Sequence, residues 1–228
     1  MSDTDHMRHA LALAARGLGR TWPNPTVGCV LLREGVSVGR GWTQPGGRPH
    51  AERMALDMAG QAARGATAYV TLEPCAHHGK TPPCADALVA AGVARVVTAL
   101  TDPDPRVAGA GHARLRAAGI AVTEGVMEAE ARALQAGFLK RVTQGLPFVT
   151  LKLATSLDGR IAMGSGESRW ITQPPARRAV HAMRMTHDAV LMAQETGSLT
   201  LRTATAPTKA PTVVDVIDAI AAHVSEGA

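Results

Sequence analysis

The chain has 228 residues, of which 46% are hydrophobic and 19% charged, so it can bury a core and is not expected to be disordered. It carries a formal net charge of +5 without a dense basic run, which disfavours a nucleic-acid-binding protein. No apolar run approaches the about 18 residues of a membrane span, and the acidic start of the chain lacks the apolar segment of a secretory signal. We therefore expect a cytoplasmic protein that binds neither membrane nor nucleic acid.

Predicted helices and strands alternate through the first 145 residues. Alanine and leucine predict a helix over 5–18, and two strands, 26–33 and 36–42, are expected to pair across the turn at Glu34 and Gly35. Further helices are predicted at 50–63, 82–91, 110–118 and 127–144, and further strands at 67–72, 93–100 and 120–123. This alternation predicts a layered α/β domain that ends near Gly145.

The predicted elements are sparser after this domain. They comprise a strand at 148–154, a turn at Asp158 and Gly159, a helix at 174–186 and a strand at 188–192, which is too little for a complete α/β domain. Residues 203–211 have the composition of a linker, and 212–224 place aliphatic side chains on one helical face. We therefore expect a domain at 1–145, an incomplete segment at 146–202, and a linker with a C-terminal helix at 203–228.

The first domain contains a pattern of metal-binding residues. His50 is followed by Cys75 and, after eight intervening residues, by Cys84. Zinc accepts imidazole and thiolate ligands, and a catalytic zinc has three protein ligands and one open position for water. The pattern predicts one zinc ion per chain, bound by these three residues, which would generate a nucleophile from water near neutral pH.

Glu52 lies two residues after His50 and is expected to stand beside the metal rather than to bind it. A carboxylate in that place can move a proton from water to a leaving amine. The pattern H-x-E followed by P-C-x-x-C is typical of zinc nucleobase deaminases, although the two cysteines are farther apart here. The alternative is a structural zinc site with His77 or His78 as the fourth ligand, and the carboxylate of Glu52 favours the catalytic interpretation.

Several short sequence motifs together resemble those of one family, the bifunctional deaminase/reductase of riboflavin biosynthesis. They are PNPTVG at 23–28, PHAE at 49–52, VTLEPCAHHGKTPPCAD at 70–86, TDP at 101–103 and GFLKR at 137–141. The resemblance implies a three-layer α/β/α cytidine-deaminase-like domain. It also implies zinc-dependent hydrolytic deamination of a small phosphorylated pyrimidine, 2,5-diamino-6-(5-phosphoribosylamino)pyrimidin-4(3H)-one.

The same resemblance assigns substrate contacts in this domain. Asn24 and Lys80 match positions that hold the substrate, since an amide offers a donor and an acceptor and a lysine offers a point charge for phosphate. His77 is a further candidate for the pocket wall. Thr43 departs from the family pattern, which has a histidine there, and this difference is expected to weaken substrate binding.

The second segment resembles the NADPH-dependent reductase of the family, which has a dihydrofolate-reductase-like fold. The matching motifs are LKLA at 151–154, SLDGR at 156–160 and GESRWIT at 166–172. By this resemblance Ala154 and Trp170 would contact the nicotinamide cofactor, and Ser168 and Arg184 would contact the ribosyl substrate. The paired-aspartate loop and the glycine-rich phosphate loop of the family have no counterpart, so an incomplete reductase-like α/β fragment without reductase activity is expected.

Two classes of function therefore compete. The first is a zinc-dependent pyrimidine deaminase, and the second is a non-catalytic, zinc-stabilised binding or regulatory relic of the same family. Glu52 favours the enzyme, because a structural zinc site has no use for a carboxylate beside the metal. The sequence leaves the oligomeric state open and is compatible with a homo-oligomer.

Overall fold

A computed structural model describes residues 2–78, 82–104, 107–167, 170–193 and 199–203 of the chain. The chain divides into two compact units, Met1–Leu146 and Pro147–Ala228. Among the described residues, every helix is too short or too polar to cross a membrane.

The described part of the first unit is built on one mixed sheet of five strands. Their bounds are β1 (Gly28–Arg33), β2 (Val36–Trp42), β3 (Thr67–Val70), β4 (Arg95–Thr98) and β5 (Ala121–Thr123). In the sheet they follow the order β2-β1-β3-β4-β5, with β1 antiparallel to both of its neighbours. The pairs β3–β4 and β4–β5 are parallel, as expected for strands that are joined through helices.

Helices cover both faces of this sheet. Their bounds are α1 (Asp3–Ala14), α2 (Ala51–Ala59), α3 (Cys84–Ala90), α4 (Ala110–Ala117), α5 (Glu128–Leu134) and α6 (Ala136–Gln144). Gly28 and Gly41 point to opposite faces, because Gly41 pairs with Cys29, the next residue of β1. A Cβ on Gly28 would lie 1.9 Å from a backbone oxygen of α1, and one on Gly41 would lie 2.5 Å from a backbone oxygen of α2. The three-layer α/β/α prediction is confirmed.

The single helix predicted over 127–144 is wrong, because α5 and α6 are separate helices that meet at Gln135. Gln135 is buried, and its side-chain amide donates a hydrogen bond to the backbone oxygen of Thr26 at 2.5 Å. Its backbone departs from helical geometry (φ −95°, ψ 10°), so the break coincides with a contact to a distant loop.

The described elements of the second unit are α7 (Pro174–Met185), β6 (Ala189–Ala193) and β7 (Leu199–Thr203). The two strands form an antiparallel pair. The strand predicted at 148–154 is wrong: those residues form no regular element, and among the described strands none pairs with them. The turn at Asp158 and Gly159 is present, and the helix predicted over 212–224 lies outside the described residues.

Large apolar side chains remain exposed in the second unit. Leu151 is 79% exposed, and Leu157 and Trp170 are also on the surface. The first unit, in contrast, buries a continuous aliphatic core that includes β1, β3 and β4. The described part of the second unit therefore does not bury its own apolar residues, as expected for an incomplete α/β fragment.

Candidate metal centre

The three predicted ligands lie at the ends of three elements of the first unit. His50 is the residue before α2, Cys75 follows β3 by a few residues, and Cys84 is the first residue of α3. The backbone N–H of Cys84 donates to the sulfur of Cys75 at 3.3 Å. The alternation of strands and helices thus brings residues 34 positions apart to one point.

The distances between the ligand atoms fit a zinc ion. The Nδ1 atom of His50 lies 3.7 Å from the sulfur of Cys75 and 3.4 Å from that of Cys84. Zn–S bonds of about 2.3 Å and a Zn–N bond of about 2.0–2.1 Å in a tetrahedral site would separate sulfur from nitrogen by about 3.6 Å. All three ligand atoms lie within 4.8 Å of one another.

The described residues offer this cluster no fourth protein ligand. His77 and His78 are both described and exposed, and neither belongs to the cluster of His50, Cys75 and Cys84. A set of one histidine and two cysteines leaves one tetrahedral position for water, which is the arrangement of a catalytic zinc. The structural-site interpretation is therefore disfavoured.

The electrostatics of the cysteines favour a thiolate. The pKa of Cys75 is lowered to about 4, first by the hydrogen bond that the Cys84 thiol donates to its sulfur and then by the interaction with His50. Burial opposes this shift. The pKa of Cys84 is raised, chiefly because it donates that hydrogen bond. The surroundings of Cys75 thus favour its thiolate form, which is the form that binds metal.

Glu52 lies in the first turn of α2 and is 3% exposed. Burial raises the pKa of this carboxyl to about 7, the negative charge of Cys75 adds to the shift, and His50 opposes it. A group with a pKa near neutrality is well suited to accept and return a proton at physiological pH. Glu52 is thus a buried carboxyl two residues from His50, with a raised pKa.

Asn24 and Thr43 both make well-defined contacts within the protein. The amide nitrogen of Asn24 donates to the backbone oxygen of Gly47 at 3.0 Å, so the side chain ties two loops together. Thr43 is buried, and its hydroxyl accepts the backbone N–H of Val27 at 2.9 Å. Lys80, the other predicted substrate contact of this unit, lies outside the described residues.

The predicted cofactor and substrate residues of the second unit lie in or beside irregular segments and on α7. Ala154 is half-buried, and Trp170 is exposed with the guanidinium of Arg177 stacked 4.3 Å from its ring centre. Arg184 is an exposed residue of α7. Ser168 lies outside the described residues.

Glu73 is a residue that sequence reasoning missed. It is 5% exposed, and its carboxylate accepts backbone N–H groups from the loop before α4 and from the first turn of that helix. The available signal was a charged residue at the end of the apolar strand TAYVTL, two positions before Cys75. Buried carboxylates require partners, so such a residue indicates a specific local network.

Comparisons with known proteins define the class of this centre. Residues 1–100 match the cytidine and deoxycytidylate deaminase zinc-binding region, which includes all three ligands and Glu52. Residues 147–217 match the RibD C-terminal domain. The first unit thus has a zinc-binding deaminase fold, and the second carries part of a RibD C-terminal domain.

Individual relatives are similar over most of the chain. The riboflavin biosynthesis protein RibD of Escherichia coli (strain K12) is 58% identical over 196 residues, which are 86% of this chain and 53% of that protein. The solved structure of Acinetobacter baumannii RibD is 54% identical with a TM-score of 0.76, over 81% of this chain and 52% of that one. A deaminase/reductase structure from Thermotoga maritima is 46% identical with a TM-score of 0.78, over 82% and 54% of the two chains.

Over most of its length the chain is therefore similar to RibD proteins. It spans about half the length of the curated relatives that it matches. The Thermotoga maritima relative is named as a diaminohydroxyphosphoribosylaminopyrimidine deaminase and 5-amino-6-(5-phosphoribosylamino)uracil reductase.

Proposed function

We propose that this chain is a zinc-dependent hydrolase that deaminates 2,5-diamino-6-(5-phosphoribosylamino)pyrimidin-4(3H)-one, with release of ammonia, in riboflavin biosynthesis. The observation that carries the proposal is a three-ligand His/Cys/Cys cluster with a buried carboxyl, Glu52, two residues from His50. Three protein ligands leave a position open, and the carboxyl has a pKa of about 7. A purely structural zinc site needs neither feature.

His50, Cys75 and Cys84 would bind the zinc ion, which supplies Lewis-acid activation of a water molecule near neutral pH. Glu52 accepts a proton from the attacking water and returns it to the amino group that leaves as ammonia. The water oxygen forms the new bond to the ring carbon, the C–N bond to the amine breaks, and the remaining hydroxyl proton passes to the ring nitrogen, so the products are a pyrimidine-2,4-dione (a uracil) and ammonia. Burial of Glu52 keeps this proton exchange away from bulk solvent.

The proposal assigns residues 1–145 to the deaminase, 146–202 to a truncated reductase-like segment and 203–228 to a linker and helix. Asn24 and Lys80 are proposed as substrate contacts. Asn24 has a structural contact through its amide nitrogen, which leaves the oxygen as the group to contact substrate. A cytoplasmic location is proposed because none of the three cysteines of the chain forms a disulfide.

The residues of the second unit enter the proposal only by family resemblance. Ala154 and Trp170 are candidates for NADPH contact, and Ser168 and Arg184 are candidates for ribosyl contact. The exposed apolar residues of that unit argue against a formed reductase site in this polypeptide.

The test is incubation of the zinc-loaded chain with the diaminopyrimidine phosphate, followed by assay of ammonia and mass spectrometry of the product. We expect ammonia and the uracil product in equal amounts. The control is the Glu52→Gln chain with full zinc content. Substrate binding without turnover in the zinc-loaded wild type would instead support the non-catalytic binding protein.

A further inference from the structure

The carboxylate of Glu73 gathers four backbone N–H groups in the interior of the first unit. One oxygen accepts from Asp102 at 3.0 Å and from Gly109 at 2.9 Å. The other oxygen accepts from Gly111 at 2.7 Å and from His112 at 3.3 Å. These donors include the first turn of α4, so a side chain two residues before a metal ligand satisfies the start of that helix.

A second contact brings the same turn of α4 against the cysteine segment. A Cβ atom on Gly111 would lie 2.0 Å from the backbone oxygen of Pro74, the residue that precedes Cys75. Glycine is required at this position because the two backbones approach so closely. The first turn of α4 therefore packs directly on the backbone of the residue that precedes one metal ligand.

A third contact joins α4 to both cysteine segments through Arg114. The guanidinium of Arg114 donates to the backbone oxygen of Ala76 at 3.2 Å, immediately after Cys75. The same guanidinium forms an ion pair with Asp86, which lies in α3 two residues after Cys84. One helix thus contacts the chain on both sides of the first cysteine and just after the second.

We propose that α4 braces the metal centre. In this proposal Glu73 and Arg114 are positioning residues that hold α4 against the segments of Cys75 and Cys84. Neither side chain belongs to the ligand cluster, so each acts through the backbone that carries the sulfurs. The inference rests on the proposed function for the identity of the metal. Groups that orient metal ligands typically contribute about 10–100-fold to metal affinity or activity.

The decisive variant is Glu73→Gln, which keeps the shape of the side chain. The amide has one acceptor oxygen and presents an NH₂ group to backbone donors, so two buried N–H groups lose their partner. The second variant is Arg114→Gln, in which the change is at a partly exposed side chain and carries little risk for folding. The control is Asp3→Asn, the same carboxylate-to-amide change at the ion pair of Asp3 with Arg95.

The experiment measures transfer of zinc from each full-length chain to a chelator, together with the visible absorption spectrum of the Co²⁺-substituted protein. For Glu73→Gln we expect zinc loss to be about 10–100-fold faster and the Co²⁺–thiolate bands to shift. Arg114→Gln should also lose zinc faster and shift the Co²⁺–thiolate bands, with both effects smaller than in Glu73→Gln. Asp3→Asn should keep the wild-type release rate and spectrum, because a general loss of stability does not alter the ligand geometry.

Wild-type zinc release and an unchanged Co²⁺ spectrum in folded Glu73→Gln would overturn the proposal. If that variant does not fold, wild-type behaviour of Arg114→Gln would overturn it. Neither measurement uses substrate, so the brace is tested even if the wild type releases no ammonia. If the wild type deaminates and both variants retain zinc normally, the supporting role of α4 is contradicted and the proposed deaminase activity is supported.

Discussion

At the scale of single residues, we expect Glu52 to be required for the rate of deamination and not for zinc binding. The change Glu52→Gln preserves shape but removes the group that accepts a proton, so the rate should fall by at least about 10²-fold while zinc content stays normal. Ammonia release and metal analysis on the same sample test this expectation. Near-normal turnover would assign proton transfer to another group, and loss of zinc would make Glu52 part of the metal-binding set.

The cysteines are expected to decide metal retention. Cys84→Ala removes a ligand and leaves two, so the chain should no longer retain zinc after dialysis and the first unit should unfold at lower temperature, because metal binding stabilises only the folded state. Cys29→Ala is the matched control, since Cys29 is a buried core thiol outside the ligand cluster. Equal zinc content in both variants would contradict the ligand assignment.

The chemistry of the centre could be predicted from sequence, but the residues that support it could not. Histidine, cysteine and glutamate at characteristic spacings identify ligands and a proton carrier because few other arrangements use those groups together. Glu73 gave no comparable signal, because its partners are backbone N–H groups up to 39 positions away. At Thr43 the sequence showed only that a threonine replaces the histidine of the family pattern. The buried hydrogen bond from the backbone N–H of Val27 to the Thr43 hydroxyl is seen only in the structure.

At the scale of elements, the contact of α1 with β1 depends on Gly28. An alanine there would place a methyl group 1.9 Å from the backbone oxygen of Ala10, and helix and strand would have to separate. We expect Gly28→Ala to destabilise the first unit by about 1–3 kcal/mol, as overpacking in a core does. Urea unfolding checks this, with Gly164→Ala as control because nothing lies within 4 Å of its added Cβ. Equal midpoints for the two variants would contradict the tight contact.

The start of α1 is expected to give a pH-dependent contribution to stability. Arg95 forms two hydrogen bonds with Asp3, at 3.0 and 2.6 Å, and Tyr69 donates a third at 2.8 Å. These contacts lower the pKa of Asp3 below its ordinary value of 3.8, chiefly through Arg95. The stabilisation is therefore present above pH 3.8 and is lost as the pH falls through the lower pKa of the folded state.

Asp3→Asn removes this contribution. We expect a loss of about 0.5–1 kcal/mol at neutral pH, a small value because the pair is partly exposed and screened by solvent. Urea unfolding of both chains from neutral pH to about pH 3 should show the difference between them shrinking at the acid end. A difference that does not change with pH would contradict the ionic origin of the effect.

Element types in the first unit could be predicted, while one missed helix break in that unit and one wrong strand in the second have tertiary causes. The local pattern identified each strand of the five-stranded sheet, because short runs of apolar and β-branched residues bounded by turn residues are typical of strands. The break at Gln135 depends on a hydrogen bond to Thr26, 109 positions away, which no local periodicity contains. Residues 148–154 have a strand-like composition, but a strand forms only where another strand pairs with it.

At the scale of the whole molecule, a polypeptide of these 228 residues is expected to deaminate without reducing the ribose. Hydride transfer requires the nicotinamide and the ribosyl carbon to be held within a fraction of an ångström of a reactive geometry. The described elements of the second unit are one helix and one pair of strands, and Leu151, Leu157 and Trp170 are exposed. We therefore expect that this unit does not hold Ala154 and Trp170 in the geometry that a cofactor requires.

The test supplies the polypeptide with its own deaminated product and NADPH and follows absorbance of the reduced cofactor. We expect no oxidation above the rate without product and no saturable binding of NADPH. The Thermotoga maritima protein, which is named for both activities, is the positive control under identical conditions. Product-dependent oxidation by the 228-residue chain would show that its second unit forms a working reductase site, either alone or by pairing with a second copy.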